Sequence, residues 1–274
     1  MVLAVVMECV FSATFLQTIC SLRMRPDAVV IAHSQSIPFE RISPRLNLIS
    51  TGIRVDESMH AVGVPLYRIH TWNAVPDSFL EQFDAIIVAC FPRKLPTQRL
   101  ERLGICAWNI HPSALPLLRG PDPLFYTARG DAPAAVTIHT MDAQYDTGPI
   151  LGSAPVQIPV ACDEHGYIAL HAKRAAALYC QIVAQPVLAV PQPELTVPSW
   201  AHPPTATDYT LSPTWSVLRT VRFVTLTNLR AHPYWVPAAG TWVHRIGTKG
   251  EIPIRCTDGM IYGTRWNSAT PAQV

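Results

Sequence analysis

The amino-acid sequence predicts an α/β protein with an open, mostly parallel sheet and helices on both faces, followed by a small β-rich, barrel-like C-terminal domain. Short apolar runs alternate with helical patterns through the first half of the chain. A proline-rich stretch then interrupts this alternation, and β-branched runs separated by glycines come after it. Together these observations indicate a sheet with crossover helices before the prolines and a separate β-rich unit beyond them.

Three continuous apolar runs predict strands that are buried on both faces, as parallel strands usually are. They are LAVVM at 3–7, AVVIA at 28–32 and AIIVA at 85–89. Between them, residues 12–22 and 77–82 have polar starts and apolar repeats that fit crossover helices. This alternation is typical of an open Rossmann-like sheet.

Two further runs predict strands that lead directly into polar segments, CAWNI at 106–110 and AAVTIHTM at 134–141. Open α/β sheets bind their ligands at such strand ends, so we expect the functional site there. Residues 168–184 fit a closing helix. The sequence lacks the GxGxxG fingerprint after its first strand, which argues against a dinucleotide cofactor.

The prolines indicate where the domains divide. Residues 185–207 are rich in proline, which lacks a backbone donor and favours extended geometry, so they predict a linker. We therefore expect a larger α/β domain at 1–184 and a small β-rich domain at 208–274. Within the latter, residues 241–246 and 252–256 have the pattern of strands.

Composition excludes several classes of protein. The chain is 49% hydrophobic and 15% charged, which indicates a packed globular protein rather than a disordered one. Its net charge of +2 is too small to imply a polyanionic partner. No apolar run reaches the length of a membrane span, so we expect no membrane association. The seven cysteines form an odd set without CxxC spacing, which fits a cytoplasmic, reducing location.

A cluster of polar residues at the predicted strand ends has the composition of an acyl-transfer site. Asn109 and His111 lie on the same side of an extended segment, since side chains alternate along a strand. Asp146 follows the next strand in a turn-forming setting. An amide can stabilise an oxyanion, an imidazole can handle protons, and a carboxylate can orient and charge the imidazole. We expect Asp146 to raise the pKa of His111, so that an imidazolium steadies the oxyanion.

Other interpretations of these side chains remain. Each residue taken alone is more typical of a structural hydrogen bond or a turn than of catalysis. His139, on an apolar strand, is more typical of a core histidine than of a metal ligand. A zinc site made of His111, His139 and Asp146 has no short metal-ligand spacing to support it, so we predict no metal.

Three segments resemble the folate-dependent formyltransferases. NIHPSALPLLRGPDPLFYTARGD at 109–131 is similar to the family's Asn-x-His-Pro-Ser-x-Leu-Pro stretch and its following Arg-Gly. VTIHTMDAQYDTGPIL at 136–151 is similar to its Thr-x-His and Asp-x-Gly segment. DAIIVACFPRKLP at 84–96 resembles the strand and loop that receive the pterin. The resemblance extends over about residues 3–184.

The resemblance implies particular roles for residues of this chain. The family's catalytic Asn, His and Asp correspond to Asn109, His111 and Asp146. The implied formyl donor is 10-formyltetrahydrofolate. The folate pocket implied in the same way is formed by Pro92, Arg93, Leu95, Met141, Asp142, Gln144 and Tyr145.

The sequence favours a small-molecule amine as the acceptor, such as an amino sugar nucleotide or an amino-acid derivative. The alternative acceptor is methionyl-tRNA, because residues 207–223 and 232–243 resemble the accessory barrel of methionyl-tRNA formyltransferases. Those proteins usually carry a lysine-rich insertion after the second strand, whereas residues 35–56 contain no lysine. A 10-formyltetrahydrofolate hydrolase and a non-catalytic folate-binding module are further alternatives.

Overall fold

The structure is a computed structural model that describes residues 1–33, 39–41, 55–196, 199–230 and 232–266. The segment 35–56, on which the tRNA interpretation depends in part, lies mostly outside these residues. The strands are β1 Val2–Met7, β2 Ala28–Ala32, β3 Glu40–Arg41, β4 Leu66–Ile69, β5 Ala85–Ala89, β6 Cys106–His111, β7 Ala135–Thr140, β8 Ile150–Pro155, β9 Tyr234–Val236, β10 Thr241–Gly247, β11 Ile252–Cys256 and β12 Gly259–Arg265. The α-helices are α1 Val10–Ser21, α2 Val55–Ala61, α3 Asp77–Leu80, α4 Thr97–Arg102, α5 Pro123–Arg129, α6 Glu164–Ala184 and α7 Val217–Leu226.

Among the described residues, the larger sheet has eight strands in the order β3-β4-β2-β1-β5-β6-β7-β8. Strands β4, β2, β1, β5 and β6 run parallel to one another. Strands β3, β7 and β8 each pair antiparallel with their neighbours. The predicted α/β class with a mostly parallel sheet is therefore confirmed, and β6 is the strand at which the parallel arrangement changes to an antiparallel one.

Helices cover both faces of this sheet, as predicted. On one face, α1, α2 and α6 enclose a core that includes Phe15, Met59 and Ala172. On the other face, α3 and α4 contribute Leu80 and Leu100 to a second core. The central strands are buried on both sides, which explains why their sequences are continuous apolar runs.

Some helix limits differ from the sequence-based ones, and local capping explains two of these differences. Helix α1 begins at Val10 instead of residue 12, because the Cys9 sulfur caps it by accepting the backbone N–H of Ser12 at 3.4 Å. Helix α6 begins at Glu164 instead of residue 168, because the Asp163 carboxylate accepts the backbone N–H of Gly166 at 2.8 Å.

The predicted β-rich C-terminal part is confirmed as a four-stranded antiparallel sheet in the order β11-β12-β10-β9. Helix α7, which the sequence pattern does not predict, packs against it and contributes Phe223 and Val224 to the core. That core also contains Phe125 and Tyr126 of α5, so the two parts of the chain share buried side chains.

The proline-rich stretch has no helix or regular strand among its described residues before a short 3₁₀ helix at Ala206–Tyr209. It is nevertheless tied to the larger sheet through a bridge between Val190 and Ile150. The domain limits at 184 and 207 stay a prediction. Within the described ranges, no helix is both long and apolar enough to cross a membrane.

Candidate active site

The site lies where β6 ends, beside the neighbouring strand β7. Asn109 and His111 occupy alternate positions on β6, as the sequence indicates. Because β6 and β7 pair antiparallel, Asn109 lies directly opposite His139. The loop from β7 to β8 then returns across this end of the sheet and carries Asp146. The structure therefore brings Asn109, His111 and Asp146 together.

Asp146 is the centre of the cluster. Its Oδ1 accepts a hydrogen bond from Asn109 Nδ2 at 3.0 Å, and its Oδ2 accepts one from the backbone N–H of Gly120 at 2.9 Å. His111 Nδ1 lies 3.6 Å from Oδ2. Burial raises the pKa of Asp146, but the His111 and His139 rings and the Gly120 N–H outweigh it and lower the pKa to about 2. The carboxylate is therefore charged at neutral pH.

His111 is buried, and its surroundings correct one expectation from the sequence. Burial lowers the pKa of His111, and the neighbouring Asp146 carboxylate, which raises it, does not fully compensate. His111 Nε2 donates to the carbonyl oxygen of Leu118 at 2.8 Å. The resting ring is thus neutral with its proton on Nε2, and not the imidazolium that the sequence predicts. Its Nδ1 lone pair faces the side on which Asp146 lies.

His139 is buried and hydrogen-bonded, as the sequence predicts, and it also belongs to the same cluster. Its Nδ1 donates to the Thr140 carbonyl oxygen at 2.8 Å, so its Nε2 accepts from Asn109 Nδ2 at 3.2 Å. Both N–H groups of the Asn109 amide are consequently engaged, by His139 and by Asp146. The oxyanion role expected for Asn109 requires the exchange of one of these bonds. Strand pairing, which places His139 opposite Asn109, is the signal that could have identified His139.

Two glycines allow the loops of the site to approach one another. A Cβ on Gly120, which has φ of +113°, would lie 2.8 Å from Trp200 Cε2. A Cβ on Gly148 would lie 1.8 Å from the Thr140 carbonyl oxygen. Asp146 itself has a positive φ of 56°, a conformation that costs free energy in a non-glycine residue. The Asp146 loop is thus held in a strained form by close contacts.

Two clefts contain four of the predicted folate residues, two in each. A cleft of about 420 Å³ is lined by Arg93 and Leu95, and one of about 690 Å³ by Gln144 and Tyr145. Pro92, Met141 and Asp142 line neither cleft. Asn109, His111 and Asp146 line neither cleft either, but Arg119 and Thr147, beside Gly120 and Asp146, line the larger one.

Lys94, which is not among the predicted site residues, lines both clefts. Its Nζ donates to the Ala143 carbonyl oxygen and lies 5.4 Å from the centre of the Tyr145 ring. Lys94 therefore connects the loop after β5 to the loop that carries Asp146. Among the described residues, no group of three or more His, Cys, Asp or Glu side chains has the arrangement of a metal site.

Comparison with known proteins shows what the part of the chain around the site is similar to. A family model described as formyl transferase matches residues 74–183, which contain the whole cluster. Methionyl-tRNA formyltransferase of Streptococcus agalactiae serotype III is 38% identical over 101 residues, which are 35% of this chain and 32% of that protein. The match thus spans about a third of that relative's length.

Solved structures show the same fold over a larger part of the chain. An N-formyltransferase from Helicobacter canadensis, in complex with folinic acid and dTDP-3-aminofucose, gives a TM-score of 0.60 at 14% identity and covers 96% of this chain and 99% of that one. A variant of HypX from Aquifex aeolicus gives 0.59 at 14% identity and covers 100% of this chain and 45% of that one. Residues 74–183 are thus similar to the formyl transferase family, and the chain as a whole shares the fold of these solved structures.

Proposed function

We propose that the protein is an N-formyltransferase that moves the formyl group of 10-formyltetrahydrofolate to a primary amine of a small molecule. The observation that carries this proposal is the convergence of Asn109, His111 and Asp146 at the end of β6, inside a formyl transferase domain. This cluster combines a charged carboxylate, a neutral imidazole and a primary amide. The amide donates to the carboxylate at 3.0 Å, and the imidazole lies 3.6 Å from it.

In the proposed mechanism His111 is the proton acceptor. An attacking amine must lose a proton as its C–N bond forms, and the free Nδ1 of a neutral His111 can take it. The imidazolium that results lies 3.6 Å from the Asp146 carboxylate, which stabilises it. His111 can then return the proton to the nitrogen that leaves. Asp146 stays charged throughout, because its pKa of about 2 is far below neutral pH.

The cleft of about 420 Å³ has features that suit a folate-type donor of the formyl group. Trp72 and Arg93 both line it. Within the described part of the chain, Trp72 Nε1 and Arg93 Nη1 are buried donors without a hydrogen-bond partner. Such atoms carry a desolvation cost, and the acceptor atoms of a pterin ring would relieve it once these side chains turn toward the cleft.

The cleft of about 690 Å³ suits the acceptor. The Tyr145 and Trp200 side chains that line it are 53% and 48% exposed, so their rings are available to pack against a ligand. Lys94 and Arg119 add positive charge and Glu194 adds negative charge. This combination favours an amine that also carries a ring and an anionic group, such as an amino sugar nucleotide, and the H. canadensis protein bound to dTDP-3-aminofucose supports that class.

A screen of amines tests the proposal. Purified protein is incubated with 10-formyltetrahydrofolate and with amino sugar nucleotides, amino-acid derivatives or methionyl-tRNA, and formyl adducts are detected by mass spectrometry. We expect a small-molecule adduct and its loss in His111→Ala, but not in His165→Ala, which alters an exposed histidine. An adduct on methionyl-tRNA alone would indicate the alternative acceptor. Formate without an adduct would indicate a hydrolase, and donor binding without turnover a folate-binding module.

A further inference from the structure

The proline-rich stretch contacts both loops that surround the catalytic cluster. Val190 and Ile150 exchange two backbone hydrogen bonds, of 2.8 and 2.7 Å, beside the loop that carries Asp146. At the other loop, Ala201 N donates to the Arg119 carbonyl oxygen at 2.6 Å, and the Ser199 hydroxyl accepts from Leu118 N at 3.0 Å. The proline-rich stretch therefore contacts both loops of the site in addition to connecting the two parts of the chain.

Gln192 is the residue of this stretch that joins the two loops through its side chain. Its Nε2 donates to the carbonyl oxygens of Asp146, at 2.9 Å, and Gly148, at 2.8 Å. Its Oε1 accepts two hydrogen bonds from the guanidinium of Arg119, at 3.1 Å from Nε and 2.7 Å from Nη2. Both donor hydrogens and both acceptor positions of the amide are thus used.

These contacts fix the backbone on both sides of the Asp146 carboxylate. Asp146 has a positive φ, which persists only where its surroundings hold it. The residue after Arg119 is Gly120, whose N–H binds Asp146 Oδ2 at 2.9 Å. Gln192 therefore connects the residue that bears the carboxylate to the segment that orients it. The same segment includes Leu118, whose carbonyl oxygen accepts from His111 Nε2.

We infer that Gln192 is a positioning residue for the proposed formyl transfer, which holds Asp146 at the distance from which its carboxylate stabilises protonated His111. This inference rests on the proposed function. The two polar atoms of the Gln192 amide have different roles: Nε2 donates to the Asp146 loop and fixes it, and Oε1 accepts from Arg119 and fixes that side chain. A carboxamide is required because a glutamate could bind Arg119 but could not donate to the two carbonyl oxygens.

The test compares Gln192→Ala and Gln192→Glu with the control Gln181→Ala, which alters an exposed residue of α6. The first measurement is the pKa of the His111 ring by NMR titration, assigned with His111→Ala; it needs no substrate. A displaced carboxylate raises the His111 pKa less, so we expect a lower pKa in Gln192→Ala and an unchanged pKa in the control. In Gln192→Glu the added negative charge opposes this fall, so that variant is used to test the rate.

The second measurement is the pH–rate profile with the amine found in the screen. We expect kcat to fall by about 10–100-fold in both Gln192 variants, as is typical for partners that orient a functional group, and the acid limb to move to lower pH in Gln192→Ala. If the His111 pKa and the acid limb are unshifted in Gln192→Ala, even where that variant is less stable, the positioning role is overturned. Absence of transfer by the unaltered protein with every amine would instead reject the proposed function.

Discussion

At the scale of single residues, the site depends on a charged carboxylate beside a neutral imidazole. Burial sets the protonation state of His111, and Asp146 opposes that effect without reversing it. The arrangement leaves the ring able to accept a proton and the carboxylate able to stabilise the charge that results. Asn109 and His139 complete a hydrogen-bonded set around the carboxylate.

Replacing Asp146 with Asn should lower both kcat and the pKa of His111, on which the rate depends. The amide preserves the shape of the side chain but removes the charge that raises the pKa of His111. His111 must be neutral to accept a proton, so a lower pKa moves the acid limb of the pH–rate profile to lower pH. We expect kcat to fall on the order of 100-fold or more, since the imidazolium loses its partner. If the acid limb of the variant lies at the same pH as that of the unaltered protein, Asp146 has no part in the proton transfer.

Cys9 should ionise at an unusually low pH. The hydrogen bond from Cys90 lowers its pKa most, and the Ser12 hydrogen bonds add to this effect and outweigh burial, so that the pKa is about 6. The pH dependence of alkylation by iodoacetamide, followed at Cys9 by peptide mass spectrometry, should have its midpoint near that value. Cys90→Ala should raise the midpoint by removing the main stabilising contact. A midpoint that is the same in both proteins would contradict this assignment.

At the scale of elements, the sharpest steric requirement is at the turn between β7 and β8. Gly148→Ala would place a Cβ 1.8 Å from the Thr140 carbonyl oxygen, a backbone atom that cannot move without displacing β7. We expect a loss of at least about 3 kcal/mol in the free energy of unfolding, at the upper end of overpacking effects. Chemical denaturation measures it. Gly247→Ala is the control, because its Cβ would meet only one atom, at 4.0 Å. Equal stability of the two variants would contradict the clash.

The elements that the sequence predicts best are those whose burial is uniform. Strands β2 and β5 coincide with their predicted limits because both of their faces are buried, which makes them short, continuous apolar runs. Strand β4, LYRI, was missed because Tyr67 and Arg68 are only partly buried and interrupt the apolar pattern. Helix α7 was missed because its buried face contacts α5 and the C-terminal sheet, which adjacent residues do not reveal.

The site, too, could be predicted from the sequence only in part. Alternation along β6 predicts that Asn109 and His111 share a side, and the structure places them so. The neutral state of His111 was not predictable, because it depends on burial by segments distant in the chain. The Gln192 contacts were likewise not predictable, because they join residues separated by 44 to 73 positions.

At the scale of the whole molecule, the α/β part and the C-terminal part are joined by buried rings and by ion pairs. Arg230 binds the Asp122 carboxylate through two hydrogen bonds of 2.8 and 2.7 Å, and Arg129 binds Asp208 at 2.9 Å. Arg219 Nε donates to the carbonyl oxygen of Arg129 at 2.8 Å. All these contacts cross from α5 and its flanks to residues after the proline-rich stretch, so we expect the two parts to unfold together.

Phe125 is the side chain through which this coupling should be measurable. It is 1% exposed, and its ring centre lies 5.0 Å from that of Tyr209 and 5.3 Å from that of Phe223. Phe125→Ala should lower the free energy of unfolding by about 3–5 kcal/mol, the usual loss for a buried aromatic ring. Leu218→Ala, which alters a 47% exposed residue of α7, should change it by less than about 0.5 kcal/mol.

The coupling itself is read by hydrogen exchange with mass spectrometry. If the shared core joins the two parts, the amides of β6 and β7 and those of β10 to β12 lose protection together in Phe125→Ala, by the same free energy. The physical reason is that the cavity left by the ring is lined by residues from both parts, so neither part retains its packing when the other opens. Loss of protection confined to β10–β12 would mean that the C-terminal sheet opens independently and that α5 keeps its place without it.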